Sequence, residues 1–479
     1  MKRFLIFALA ALAIAGCGQP QTIAVLSVND MHGQFKTMPE LKYVADSLRK
    51  EYPKLLILSA GDNRTGNPLN DAHEEPSWPM TDLMNQVGFD ISTLGNHEFD
   101  GALESFVLQA GKSKFPYVSC NVKIEDKVYD GMIQDYKVFD FDGQGPRIAI
   151  VGMTQVDTNS HIPDCSPEKV NGFIFEDHTT VVQRYAHLKK KNDMVIILAH
   201  NGYEGDVALS EKVSGWCDWI IGGHSHTLIE GGEEHNGVWI TQCERKLKYV
   251  TLTKLQFKGR KLQGINSEII ELKGLPRDEA IAEVVAGYSN NETFTRVLGY
   301  LDRSITRREG LGLLMLDALK EGAGADIAVA NRGSVRLDEF PAGPITVEDV
   351  LSLDPFGNET VIYDLTGAQV LELLKRCHLG DLEYGPGYIL GGDYTITIDK
   401  KDIKNVLDVK MTMPDGSPID LEKKYRVVFS SYMAVITGID ELAEGVNTFT
   451  TTSDFLVAYL EKHQHVDFEG QKHMTTIWK

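Results

Sequence analysis

The chain has 479 residues, 42% of them hydrophobic and 24% charged, with no low-complexity tract. That is too long for one compact core, so two folded domains are the expectation. A formal net charge of −20 leaves no basic field to neutralise a nucleic-acid backbone and argues against a polymer binder; a small phosphate ligand stays open, because bound cations reverse the local sign.

Lys2 and Arg3 precede an apolar stretch at residues 4–15, shorter than the roughly 20 residues a membrane-spanning helix needs. Ile14-Ala15-Gly16-Cys17 resembles a bacterial lipoprotein box, which implies cleavage before Cys17 and a lipid on its sulfur. The alternative is an ordinary secretory signal with an incidental Cys. Gly18 after the Cys resembles lipoproteins sent to an outer membrane. The expectation is an exported, lipid-anchored protein, periplasmic or on the outer membrane of a Gram-negative bacterium, with residues 1–17 as signal. Cys120, Cys165, Cys217, Cys243 and Cys377 remain, with no CxxC. They make neither a dense disulfide framework nor a thiolate metal site, and leave one or two disulfides open.

Residues 22–28 form a β-branched apolar run, read as the first strand, ending in Asn29-Asp30-Met31-His32-Gly33. Residues 40–51 carry a helical apolar period. A strand at 55–60 ends in Gly61-Asp62-Asn63-Arg64-Thr65-Gly66. A helix at 80–87 leads to a strand at 89–94 and the turn Gly95-Asn96-His97-Glu98-Phe99-Asp100. A helix over 101–112, a strand at 117–120, an edge hairpin within 123–141 and a core strand at 147–153 follow. A helix at 176–191 precedes a strand at 194–199 that ends in His200-Asn201-Gly202. A strand at 216–221 ends in Gly222-Gly223-His224-Ser225-His226, and segments at 237–242 and 248–257 read as sheet-closing hairpins. Repeated strand–helix units predict a layered α/β domain over 21–270, a sheet sandwich flanked by helices. Residues 271–295, with Gly274, Pro276 and a charged helical segment, read as a linker helix and hinge. A smaller α/β domain over 296–479 mixes helices at 310–321 and 367–377 with strands at 326–330, 360–365, 393–398, 405–413 and 425–430.

Five core strands therefore end in metal-ligand types: Asp30 with His32, Asp62, Asn96 with His97, His200, and His224 with His226. One such residue at a strand end is unremarkable; five in succession, most beside a Gly, are hard to produce from packing alone. In an open α/β sheet, ligands bind outside the carboxyl ends of the strands. Residues two apart on an extended segment share a side, so Asp30 and His32, and His224 and His226, are expected to converge. Carboxylate, imidazole and amide oxygen without thiolate suit Mn, Zn, Mg or Co. The nine other histidines (His73, His161, His178, His187, His235, His378, His463, His465 and His473) lie outside any such motif and read as surface or helix-face residues.

Asp-x-His, Gly-Asp, Gly-Asn-His-Glu, a lone His and Gly-His-x-His, in this order, resemble the calcineurin-like metallophosphoesterase signature. The turn at 95–100 and the second domain resemble its 5′-nucleotidase and UDP-sugar hydrolase branch. The resemblance implies two divalent metal ions, one held by Asp30, His32, Asp62 and His226, the other by Asp62, Asn96, His200 and His224, with Asp62 bridging. His226 stands where some members carry Gln. The implied reaction is in-line attack of a metal-bridging hydroxide on a nucleoside phosphate monoester. Two dications outweigh the two carboxylates and the hydroxide, so the site stays positive inside an acidic protein. His97 is then the acid for the leaving group, and Asp100 its orienting carboxylate. The alternative for Asp100 is an N-cap of the next helix.

Asn331-Arg332-Gly333-Ser334-Val335-Arg336 resembles the family's phosphate loop, and Arg303, Arg307 and Arg308 precede a helix that resembles a further phosphate-binding segment, with Arg303 and Arg307, spaced four apart, the favoured pair; a solvated basic helix start is the other reading of each of the three. Asp354-Pro355-Phe356-Gly357-Asn358 resembles the base-binding loop, with Phe356 stacking and Asn358 bonding the base edge. Tyr432 is the candidate second ring, in a segment that lacks the family's glycines. UDP-sugars and 2′,3′-cyclic nucleotides are competing substrates, and a non-catalytic nucleotide-binding lipoprotein is the alternative of another class. The oligomeric state is not encoded in any motif. Catalysis on this reading requires closure of the two domains about 271–295.

Overall fold

The computed structural model describes residues 20–158, 160–290, 292–380, 387–468 and 473–479. The signal and lipoprotein box lie outside the described residues.

Two sheets face each other in the first domain. The larger has seven strands in the order Lys261–Glu271, Tyr249–Lys258, Pro20–Val28, Leu56–Ser59, Ile91–Thr93, Tyr117–Val118, Ile133–Gln134. The smaller has six: Glu233–His235, Val238–Thr241, Trp219–Ile221, Met194–His200, Ile148–Thr154, Tyr136–Phe139. Alternation of side chains along each strand sends Ile23, Val25, Leu56, Leu58 and Ile91 of one sheet against Ile148, Ile150, Ile196, Leu198 and Trp219 of the other. The opposite faces are covered by helices such as Met38–Glu51 and Trp78–Val87 on the large sheet and Tyr203–Val213 on the small one. The strands Pro20–Val28, Leu56–Ser59 and Ile91–Thr93 run parallel, as do Ile148–Thr154, Met194–His200 and Trp219–Ile221. Each trio therefore gathers its carboxyl ends on one edge, which is where the ligand types lie.

The hairpin expected within 123–141 differs from what is found. Ile133–Gln134 pairs parallel with Tyr117–Val118 in the large sheet, whereas Tyr136–Phe139 pairs antiparallel with Ile148–Thr154 in the small one. The segment is thus shared between sheets. Val238–Thr241 and Tyr249–Lys258 each form an antiparallel hairpin as expected, with Glu233–His235 in the smaller sheet and Lys261–Glu271 in the larger. The five described cysteines are free thiols. His178 and His378 lie on helices and are buried: His178 Nδ1 accepts from the Val156 N–H, and His378 Nε2 donates to the Ile403 carbonyl at 2.7 Å.

The segment after the sandwich forms a helix, as expected. The helix Glu279–Ser289, capped by the Asp278 side chain, packs on the helices Met38–Glu51 and Trp78–Val87. Ile281 and Val285 are buried there, and Tyr288 Oη donates to Asp82 at 2.8 Å. The second half is built on a five-stranded sheet, ordered Tyr388–Leu390, Ile327–Ala330, Lys424–Ser430, Glu359–Thr366, Val446–Thr451. The helices Arg308–Ala323, Gly367–Gly380 and Thr452–His463 cover it. The last of these, opened by a Thr451–Asp454 capping box, is an element the periodicity reading passes over.

Candidate active site

The turns that carry the ligand types are not extended. Asp30 (φ 50°), His32 (φ 49°), Asp62 (φ 53°), His224 (φ 79°) and His226 (φ 55°) all take left-handed backbone. The expectation that Asp30–His32 and His224–His226 converge as extended pairs is therefore corrected; a left-handed residue at each position turns the chain toward the site. Such conformations cost a non-glycine residue about 1 kcal/mol or more and persist where the surroundings enforce them. Here the Asp30 N–H donates to Gly61 O at 3.0 Å and the His32 N–H to Asp62 O at 2.9 Å. The His224 N–H donates to the Asp30 carboxylate at 3.0 Å. Two glycines let these turns touch. A Cβ on Gly95 would stand 2.2 Å from Asp62 Oδ1, and one on Gly223 would stand 2.9 Å from His200 Nδ1.

Ligand atoms from all five strand ends meet. Three groups have their donor atoms within 4.8 Å of one another: Asp30, His32 and His226; Asp30, Asp62 and His200; His32, Asp62 and His97. The donor set fits divalent cations, because the hydrogen bonds leave lone pairs facing inward. His32 Nδ1 faces Thr65 O at 3.0 Å and His200 Nδ1 faces Ala60 O at 2.7 Å. A carbonyl only accepts, so each Nδ1 carries the proton and each Nε2 is left as a base. His200 Nε2 is buried without a hydrogen-bond partner, 3.2 Å from Asp62 Oδ2. His32 Nε2 and His226 Nε2 lie 3.0 Å apart, and His226 Nε2 is 3.4 Å from Asp30 Oδ1. A cation between these atoms relieves the crowding of lone pairs and anionic oxygens.

The electrostatics of the cluster agree. Burial works against charge on Asp62, yet the His200 and His97 imidazoles hold its carboxyl well below the usual range. Burial works against charge on His200 too, yet Asp62 and Asp30 push it up to about 10. His32, buried and facing the Arg336 guanidinium, is held well below its ordinary value.

His97 Nδ1 donates to Asp100 Oδ2 at 2.7 Å, and its Nε2 is 3.9 Å from Asp62 Oδ2. Asp100 does not cap the following helix Ala102–Lys112: Gly101 occupies the cap position, with no side-chain cap bond. Burial opposes protonation of His97, but Asp62 and then Asp100 outweigh it and raise its pKa. Glu98 has a structural role and braces the whole turn. Its buried carboxylate accepts from the backbone N–H groups of Asp62, Asn63 and Gly95 at 2.9, 2.8 and 2.6 Å, fixing the Asp62 turn to the His97 turn.

Known proteins carry the same two-part plan. The calcineurin-like phosphoesterase profile matches residues 23–228, and the 5′-nucleotidase C-terminal domain profile matches residues 285–443. The chain belongs to the calcineurin-like phosphoesterases of 5′-nucleotidase type. It is 28% identical to protein UshA of Yersinia enterocolitica, over 93% of this chain and 92% of that protein. It is 29% identical to a 5′-nucleotidase of Vibrio vulnificus, over 95% and 94%. The crystal structure of a 5′-nucleotidase precursor from Thermus thermophilus shares the fold, with a TM-score of 0.84 at 23% identity over 95% of this chain and 99% of that one.

In this calcineurin-like phosphoesterase the second half closes over the ligand cluster. Arg336 is buried, with Nη2 3.3 Å from His32 Nε2. Phe356 stacks on His97 at 5.9 Å between ring centroids, and the Arg336 guanidinium lies 5.5 Å from the same Phe356 ring. Asn331 is buried at the end of the strand Ile327–Ala330. Asn358 and Tyr432 flank the Thr360–Ser430 pair, at the end of two inner strands of the five-stranded sheet. The expected pair Arg303 and Arg307 is not brought to the cleft. Arg303 is exposed and bound to Asp467, with Nη2 2.7 Å from Oδ2, and Arg307 is exposed at the start of its helix. Arg308, one residue further and helical, turns inward to Asp338 at 3.0 Å. Asp338 also meets Arg245 of the first domain at 3.2 Å, and Lys246 Nζ donates to Arg336 O at 2.8 Å. Burial, then the neighbouring Arg245 and Arg336, push Lys246 down to about 7. Arg245, Lys246 and Arg308 thus form a basic seam across the two halves. Arg64, beside a cavity of about 240 Å³ shared with Asp100 and Phe356, is a further buried cation. Only the local string Glu244-Arg245-Lys246 hints at the seam in sequence; its convergence on Arg308 needs the fold.

Proposed function

We propose that the protein hydrolyses nucleoside 5′-monophosphates to nucleoside and phosphate. The metal-dependent phosphoester hydrolase class is that of its family. Asp30, His32, Asp62 and His226 would hold one divalent ion, and Asp62, Asn96, His200 and His224 the other. Such ions, when bound, neutralise charge on phosphoryl oxygens and lower the pKa of water. His97 holds a proton at Nε2 for the leaving alkoxide, while Asp100 fixes Nδ1 and stabilises the charged ring. Arg336, with the seam behind it, binds phosphoryl oxygens through its planar fork. Phe356 offers the base an aromatic face close to that acid, with Asn358 and Tyr432 as further base contacts.

The observation that supports this reading best is the meeting of the two halves: Arg336 and Phe356 lie against His32 and His97, within one substrate length of the ligand cluster. The test is phosphate release by metal-free protein reloaded with Mn, Zn, Mg or Co. The panel comprises AMP, UMP, UDP-glucose, a 2′,3′-cyclic nucleotide and an aryl phosphate. Highest kcat/KM on a nucleoside monophosphate, and none after chelation, is the expected result. Binding of AMP by metal-loaded protein without phosphate release would establish a nucleotide-binding module instead.

The sequence of residues 1–18 supports export and a lipid on Cys17, and so a periplasmic or outer-membrane location. Radiolabelled palmitate is expected to enter the wild-type protein and not Cys17→Ser; equal labelling of both would remove the anchor.

A further inference from the structure

Asp164 lies on the loop after the strand Ile148–Thr154, outside every motif named above. Its backbone carbonyl accepts from Asn96 Nδ2 at 3.0 Å. Its carboxylate Oδ2 stands 3.4 Å from His224 Nε2. On the far side of these two contacts, Asn96 Oδ1 and His224 Nδ1 face each other at 3.0 Å.

These facts fix two orientations. A carbonyl only accepts, so the Asn96 amide must present its NH₂ to Asp164 and its Oδ1 to the interior. A carboxylate likewise only accepts, so a neutral His224 facing it carries its proton on Nε2. Nδ1 is then left with a lone pair aimed at Asn96 Oδ1. At that distance either a proton on Nδ1, as in the imidazolium, or a metal ion joins His224 Nδ1 to Asn96 Oδ1, and a bound divalent ion takes the place of that proton. A carboxylate behind a ligating imidazole also raises its basicity and fixes its ring.

We propose that Asp164 is a positioning residue for the second metal ion, aiming both Asn96 Oδ1 and His224 Nδ1 at one divalent cation. The inference rests on the two-metal reading above. The backbone carbonyl orients the amide and the side chain orients the imidazole, so one loop residue governs two ligands from different strands. Because the carboxylate is 47% exposed, its effect falls at the lower end of the roughly 10–100-fold range for such partners.

The test is a titration of metal-free protein with Co²⁺, read by visible absorption and by competition with a chromophoric chelator. Asp164→Ala keeps the backbone carbonyl and removes only the carboxylate. It is expected to bind one equivalent as the wild type does and the other about 10-fold more weakly. The Co²⁺ spectrum of that weaker equivalent alone should change, and Asp164→Glu should restore part of the affinity. Unchanged affinity and spectrum for both equivalents, or equal weakening of both, would overturn the role of Asp164. Wild-type protein that binds a single equivalent would overturn the two-metal reading itself, and with it this inference.

Discussion

Asp62→Asn lowers kcat/KM on nucleoside monophosphates by more than about 10³-fold and weakens both metal equivalents; this is the largest effect expected from any single side chain here. Asp62 belongs to two of the three close ligand groups. Its Oδ2 is 3.2 Å from His200 Nε2, and its Oδ1 accepts the His97 N–H at 2.9 Å. Asn keeps the shape and removes the charge, so the loss reads electrostatics rather than packing. Its amide nitrogen would also turn a donor toward cations or toward His97. Metal content by elemental analysis and phosphate release decide the matter together. A variant that holds two metals and turns over within tenfold of the wild type would sink the bridging role.

His97→Ala comes second. Loss of a positioned general acid costs about 10²–10⁴-fold when the leaving group is a poor one, such as a nucleoside alkoxide. On an aryl phosphate, whose leaving group departs without a proton, the loss should be much smaller. Metal content should stay as in the wild type, since His97 Nδ1 is committed to Asp100 at 2.7 Å. Asp100→Asn should follow the same leaving-group trend at smaller amplitude, because it removes the ring's orienting partner rather than the ring. Equal losses of His97→Ala on nucleotide and aryl phosphate would falsify proton donation. Loss of a metal equivalent would instead assign His97 to the group it forms with His32 and Asp62.

Both predictions depend on how the two halves approach. Phe356 stacked on His97 and Arg336 near His32 make the present arrangement a closed one. The contacts of Arg245 and Arg308 with Asp338, and of Lys246 with the Arg336 carbonyl, hold the seam. Exposed ion pairs contribute little by themselves. These are partly buried and share one carboxylate, so they bias the position of the second half without locking it.

The sequence by itself determined the layered α/β class, the order of the core strands and the residues at their carboxyl ends. It could do so because strands of a buried parallel sheet read as continuous apolar runs, and because Gly-rich turns punctuate them. It also marked Arg336 and Phe356, through local strings that resemble a known family. What only tertiary structure decided is which strand joins which sheet and which side chains reach the site. The segment holding Ile133–Gln134 and Tyr136–Phe139 is divided between sheets, a choice made by long-range pairing that no local pattern carries. The left-handed turns at Asp30, His32, Asp62, His224 and His226 are imposed by neighbours across the site, against local preference. Arg308 meets Asp338 while Arg303 and Arg307 are exposed, because the helix start sets which of the three turns toward the first domain, and spacing alone cannot fix that rotation. Glu98, Asp164 and Lys246 matter through partners 35, 68 and 90 residues away, and such contacts exist only once the chain has folded.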